Sequence, residues 1–160
     1  MSYMNVKFNV SKFGTGFPNN TLAEEYGEHL LNIKLASDTA NGMLVAADVS
    51  KAWPEFDVFD EAAVTEFEGI VEQQLEDGKW LVCVTDPGDA LFVYQKPLTP
   101  YESPRELLKE EAFYLKKGDI ARCYCLAKFD RISVSEDNFE GTPEAGAVVS
   151  GVTNKKMTIQ

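Results

Sequence analysis

The side chains able to do chemistry are few, and their spacing suits little of it. The 160-residue chain has one histidine, His29, in the run EYGEHLLNIKL, and three cysteines, Cys83, Cys123 and Cys125. His29 has no second imidazole with which to share a metal, and the cysteines form no C-x-x-C pair. A nucleophilic serine would need a G-x-S-x-G turn, and a phosphate cradle would need a glycine-rich loop opening a helix; neither is in the sequence. Gly14-Thr15-Gly16 runs into Phe17-Pro18, which suits a turn rather than a helix start. Carboxylates are plentiful, and two of them facing each other across a cleft would suffice to hydrolyse a glycosidic bond. Asp57, Asp60, Glu66, Glu68 and Glu72 are the residues available for that, but they stand among many other acids, as a solvated acidic face would. Ser135 to Gly141 gathers oxygens without the spacing of a calcium loop and reads as a turn. The expectation is a chain with no catalytic residues, no cofactor and no metal.

Stepping from residues to elements, the pattern is mostly that of strands. Met4 to Val10 alternates, with Val6, Phe8 and Val10 on one side. Leu22, Tyr26, Leu30 and Ile33 could share a helical stripe between Thr21 and Leu35, which predicts a short helix or a turn there. Asn41-Gly42 signals a reversal before the apolar run Met43 to Ala47. Lys51 to Ala63 mixes Trp53-Pro54 with acids and predicts a long loop. Phe67 to Leu75 and Lys79 to Val84 flank Asp77-Gly78 as a β-hairpin would, and Asp86-Pro87-Gly88-Asp89 turns the chain into Leu91 to Gln95. One helix has full start signals, Ser103 to Phe113, with Ser103 as N-cap, Pro104 in the first turn and Glu106 closing a capping box. In the strand Ile120 to Ala127, one face carries Ile120, Arg122, Tyr124 and Leu126. The other carries only Ala121, Cys123, Cys125 and Ala127, which implies close approach of another element. Phe129 to Val134 continues as strand, and Ala147 to Val152 with Met157 to Ile159 forms a last hairpin across Thr153-Asn154-Lys155-Lys156. The fold class is therefore mainly β, a sandwich- or barrel-like body with one or two short helices.

Charge divides the chain. Residues 1–23 contain no Asp or Glu, and all 26 carboxylates lie between Glu24 and Glu144. From Thr21 to Pro100, 16 acids face 4 lysines, while from Tyr101 onward 10 acids nearly balance 9 Lys and Arg. The division is an extended N-terminal arm, residues 1–20, before a single β-rich body, residues 21–160. Lys7, Phe8, Lys12, Phe13 and Phe17 are the arm's candidate partner-binding residues, because three aromatic anchors and two cations on a segment too poor to build a core suit docking on a neighbour. The net charge of −11 repels phosphate backbones, so nucleic acid is not an expected partner. Lys116-Lys117 and Lys155-Lys156 read as solvated turns. No run is apolar and long enough for a leader or a bilayer span, so no membrane is expected, and an odd cysteine count fits reduced thiols in a cytoplasm.

The runs ALFVYQKPL and FYLKKGDIARCYCLAKFDRISVSEDNFEG, the terminal hairpin ending MTIQ, the opening MNVKFNVSKFGTG and the internal ANGMLVA together resemble the small decoration, or cement, proteins on the heads of tailed bacteriophages. The likeness spans most of the chain and rests on patterning: a KGD turn before a strand, an F-D-x-I-x-V-S strand and an N-G turn. It implies a β-rich, non-enzymatic virion protein, made in the host cytoplasm and bound to the major capsid protein on the capsid surface. It also implies a homo-oligomer, commonly a trimer, that stabilises the expanded head. Physical chemistry accommodates two other readings: a carboxylate-dependent hydrolase of cell-wall sugars, and a tail, baseplate or other virion subunit.

Overall fold

Leu91, Phe92 and Val93 are consecutive and all buried, which a strand shows only when both of its faces are covered. That demand explains the architecture. The computed structural model describes residues 14–23, 29–53, 58–76, 78–95 and 114–160. Its strands are β1 (Gly16–Asn20), β2 (Leu30–Lys34), β3 (Leu44–Trp53), β4 (Val58–Ala62), β5 (Glu68–Gln74), β6 (Trp80–Asp86), β7 (Leu91–Val93), β8 (Ile120–Cys125), β9 (Arg131–Val134), β10 (Phe139–Glu140), β11 (Val148–Thr153) and β12 (Lys156–Ile159). Five of them close a barrel in the order β2-β4-β3-β7-β8, and seven form a sheet in the order β1-β9-β6-β5-β11-β12-β10. The protein is mainly β, as its alternating runs and turn pairs predict.

Two cores result. Ile33, Leu35, Val45, Leu91, Val93, Leu115, Ala121 and Cys123 fill the barrel. Leu44, Phe92, Tyr124 and Leu126, from strands of that same barrel and the segment after β8, meet Phe67, Val71, Val82, Val84, Ile132, Val134, Val149 and Met157 of the seven-stranded sheet. Strand β8 shows the logic most clearly. Its small face, Ala121 and Cys123, is fully buried inside the barrel, where five strands leave little room for larger side chains. Tyr124 on the other face packs against the sheet. Ile120 shares that face but is 57% exposed, because the sheet covers only the later part of the strand.

Two elements differ from the sequence expectation. The helix or turn proposed between Thr21 and Leu35 is replaced over Leu30–Lys34 by β2, held between β8 and β4 by backbone pairing on both sides. Ile33 enters the barrel and Leu22 lies exposed, so these two do not share a buried face; Tyr26 lies outside the described residues. Lys51 to Ala63 is not a long loop: β3 continues to Trp53 and pairs with β4, a strand that carries the adjacent acids Asp60 and Glu61. The small element after β9 is a single 3-10 turn, Glu136–Asn138. Met4 to Val10, Asp77 and the helix at Ser103 to Phe113 lie outside the described residues. The reversals at Asn41-Gly42, at Gly78 and at Asn154-Lys155 stand where the sequence puts them, with φ of 87° at Gly42 and 89° at Gly78.

The chain crosses between barrel and sheet four times, and two carboxylates tie the crossings together. Asp130, buried, accepts the Ala127 N–H at 2.8 Å and the Leu22 N–H at 3.3 Å, joining the β8–β9 and β1–β2 crossings. Asp89, between β6 and β7, accepts the N–H groups of Thr65 (3.0 Å) and Glu66 (3.1 Å) and the Thr65 hydroxyl (2.9 Å), fixing the β4–β5 crossing. Gly88 makes that approach possible, since a Cβ there would collide with the Glu66 carbonyl. Burial works to raise the Asp89 pKa, but the bonds from Glu66 and Thr65 outweigh it and hold the carboxyl below its ordinary 3.8. A group with a depressed folded pKa contributes stability above its unfolded value and loses it as pH falls through the folded one. Denaturant titrations between about pH 5 and pH 2.5 are therefore expected to show stability falling below about pH 4. Asp89→Asn should be less stable at neutral pH and show a shallower acid slope.

Candidate functional site

Of the residues singled out for partner binding, the structure places one, on an edge of the seven-stranded sheet. Lys7, Phe8, Lys12 and Phe13 lie outside the described residues, whereas Phe17 sits in β1, the terminal strand of the sheet. The segment leading into β1 is sewn to the body. The Thr15 N–H donates to Ser135 Oγ and the Ser135 N–H donates to the Thr15 carbonyl, both at 2.9 Å. Asn138, fully buried, donates from Nδ2 to the carbonyls of Thr15 (2.9 Å) and Asn41 (3.0 Å), while its Oδ1 has no partner. Gly14-Thr15-Gly16, unexplained as a phosphate motif, is explained here. A Cβ on Gly14 would strike the Asn138 amide, and one on Gly16 would lie 2.5 Å from the Gly42 Cα, so only glycine allows the two chains to approach. Residues 16–20, assigned by sequence to the arm, are thus a strand of the body.

Phe17 is 48% exposed and meets Tyr94 edge-to-face at 5.5 Å; Tyr94 meets the core residue Tyr124 in the same way at 6.0 Å. The three rings connect the sheet edge to the core. Pro18 follows Phe17 and removes a backbone donor, and Asn19 is engaged by the Ser133 hydroxyl at 2.6 Å. Such an edge resists addition of a further strand and leaves side chains to make any contact.

A cavity of about 290 Å³ opens where β2 and β4 end, lined by Ala36, Leu44, Glu61, Ala62, Ala63, Val64, Val152, Asn154 and Lys155. Lys155 reaches it from the β11–β12 turn. Its Nζ lies 2.6 Å from Glu61 Oε1 and donates to Thr39 Oγ1 at 2.7 Å, with the two side chains only 18% and 6% exposed. Glu61 Oε2 also accepts the Ala36 N–H. Lys155 is therefore not the solvated turn residue of the sequence reading but a pin between the sheet's last hairpin and the barrel. Its left-handed backbone, φ 66°, follows Asn154 at φ 51°, a reversal in which glycine is the favoured second residue. A lysine at a glycine position was the signal in the sequence that it does something else.

The hydrolase reading finds little here. The cavity carries one carboxylate, and that one is held by a lysine. Glu66, Glu68, Glu72 and Asp60 are not in its lining, and Asp57 lies outside the described residues. Glu72 instead pairs with Arg131 at 3.2 Å on the sheet surface. Among the described residues no three His, Cys, Asp or Glu side chains gather where a metal could sit. The backbone carbonyl of His29 accepts the Cys125 N–H at 2.8 Å. Burial raises the Cys125 thiol pKa and, with Glu61 and Cys125 nearby, pushes Cys123 up to about 12, which is the opposite of thiolate activation.

Two effects compete at Lys155, and substitution separates them. Lys155→Gly relieves a left-handed backbone costing roughly 1–2 kcal/mol but strands the Glu61 carboxylate, which costs about 3 kcal/mol or more. A net loss of about 2 kcal/mol in chemical denaturation is expected, with part of it restored by adding Glu61→Gln. The comparisons leave this geometry as the basis for a functional reading: no family model matches the chain, and no curated protein or solved structure is found to be similar to it.

Proposed function

We propose that the chain is a non-enzymatic virion structural protein that binds the outside of a phage capsid lattice through the major capsid protein and stabilises the head, as a homo-oligomer. The observation that carries this reading is the junction at Thr15, Asn138 and Asn41. It fixes the point from which an acid-free segment with Lys7, Phe8, Lys12 and Phe13 departs, at the rim of a strongly acidic body. An adhesive segment is useful only if its root is rigid. Otherwise the ordering of the root, roughly 1–2 kcal/mol per residue, is added to that of the segment itself.

Phe8 and Phe13 can each bury about 150–250 Å². At about 25 cal/mol per Å² that is several kcal/mol before ordering costs, enough to bind usefully when repeated over a lattice. A cavity with one neutralised carboxylate supports adhesion better than hydrolysis, and the sequence resemblance to decoration proteins supports the same choice.

The test removes residues 1–13 and keeps Gly14 to Asn20, which belong to the sheet. The truncated protein is expected to melt within about 2 °C of the full chain and to lose at least about tenfold in co-sedimentation with empty heads assembled without it. Binding of the full chain should weaken as salt rises, through Lys7 and Lys12. Equal binding by both proteins removes the segment from the mechanism, and sedimentation with tails but not heads moves the chain to another part of the virion.

A further inference from the structure

Among the described residues four non-glycine positions have left-handed backbone: His29 (φ 67°), Phe129 (φ 73°), Asn154 (φ 51°) and Lys155 (φ 66°). Asn154 is a residue type that tolerates the conformation, and Lys155 is held by Glu61. The His29 carbonyl takes a ladder bond from Cys125 as β2 begins. The backbone of Phe129 is held as well, by Val84, but nothing in that bond calls for an aromatic side chain. It occupies the third position of the turn Ala127-Lys128-Phe129-Asp130, closed by the Asp130 N–H to the Ala127 carbonyl at 3.1 Å. A positive φ at that position is the mark of a type II turn, which asks for glycine or asparagine. The turn itself is fully specified without the ring. The Phe129 N–H donates to the Val84 carbonyl, the Val84 N–H donates to the Asp130 carbonyl, and Asp130 holds Ala127 and Leu22. The ring is 64% exposed, so the core does not require it. A large aromatic is thus kept, against backbone preference, on a rigid corner where most of it is exposed. Strain retained without a folding reason points to a contact with something outside the chain.

We propose that the Lys128-Phe129 turn is a docking anchor that inserts the Phe129 ring into an apolar pocket rimmed by carboxylates on the capsid lattice, an inference that rests on the function proposed above. Charge selects that partner. Lys128 Nζ stands 5.2 Å from the centre of the Phe129 ring, so cation and aromatic are presented together. The chain carries −11 overall, so this cation complements carboxylates locally, at the rim of the pocket, rather than steering the whole molecule from a distance. Leu22, exposed and with its N–H held by the neighbouring Asp130, is a second exposed apolar residue tied to the same corner. The anchor lies at the end of the barrel opposite the Glu61–Lys155 cavity: β8 runs from Ile120, beside Lys34, toward Tyr124, beside Leu30.

Phe129→Gly, Phe129→Asn and Phe129→Tyr in the full-length protein separate anchor from scaffold. If the ring is there for docking, the glycine and asparagine variants melt at or above the wild-type temperature and lose at least about tenfold in affinity for empty heads. The tyrosine variant stays within about threefold of wild type, and Lys128→Gln flattens the salt dependence of binding. Glycine-variant binding equal to wild type overturns the anchor alone. A melting temperature lowered by several degrees in the glycine and asparagine variants overturns it too, by giving the ring a folding role. Phe129-dependent sedimentation with anionic phosphatidylserine vesicles replaces the protein partner with a membrane. Wild-type protein that does not sediment with heads overturns the proposed function, and this inference with it.

Discussion

The structure depends on strands that are buried on both faces. A five-stranded barrel of this size needs only one apolar surface, its interior, and its outer wall is ordinarily free to be polar. Here β3, β7 and β8 also supply the lower half of a second core, so Val45, Leu91, Val93 and Cys123 look inward while Leu44, Phe92 and Tyr124 look outward. Burying each of these large side chains is worth about 1.5–3 kcal/mol. The sheet and barrel together thus gain more than either could gain separately, and neither is a free-standing domain. Shared strands also account for the all-buried composition of β7 and the small residues of β8.

Apolar cores do not choose a relative orientation by themselves; polar ties do that here. Asp130 ties its crossing to Leu22, Asp89 ties its own to Thr65 and Glu66, Asn138 clamps the carbonyls of Thr15 and Asn41, and Lys155 pins the last hairpin to Glu61. Individually such bonds contribute about 1–3 kcal/mol, less than the cores. Their importance is geometric. Each joins residues between 23 and 123 positions apart in sequence, so each removes freedom that local turns cannot. The unpartnered Oδ1 of Asn138 shows that the clamp is retained although one of its lone pairs goes unused.

What was legible in the sequence follows from the range of each interaction. Turns set by Gly42, Gly78 and Asn154 are local, and they are found in place; so is the two-faced character of β8, because alternation is a property of one strand. The barrel was not legible in detail, since β2 pairs with β4 in parallel and with β8 across some ninety residues, and its own pattern of Leu30, Leu31 and Ile33 fits a helix equally well. The acids of β4 disguised a strand as a loop, because a barrel wall not covered by the sheet can carry Asp60 on its outer side. At the candidate site, Phe17 could be picked from composition, whereas Lys155 and Phe129 could be found only by asking why a turn that prefers glycine does not have it.

Strand addition, the simplest way for a β protein to bind, is poorly served by this fold. The barrel is closed and has no edge; β1 carries Pro18, and β10 is two residues long and ends in the exposed Glu140. A protein so protected resists edge-to-edge strand pairing in spite of its strand content. It must then make specific contacts with side chains presented from rigid positions. Such positions lie at corners rather than along edges, and there the backbone is held by bonds that do not involve the presented side chain. The β8–β9 turn meets that description, since Val84, Ala127 and Asp130 fix its backbone and leave the ring and ammonium of Phe129 and Lys128 to solvent. The clamp at Thr15 holds backbone in the same way, through the N–H and carbonyl of that residue and not through its side chain.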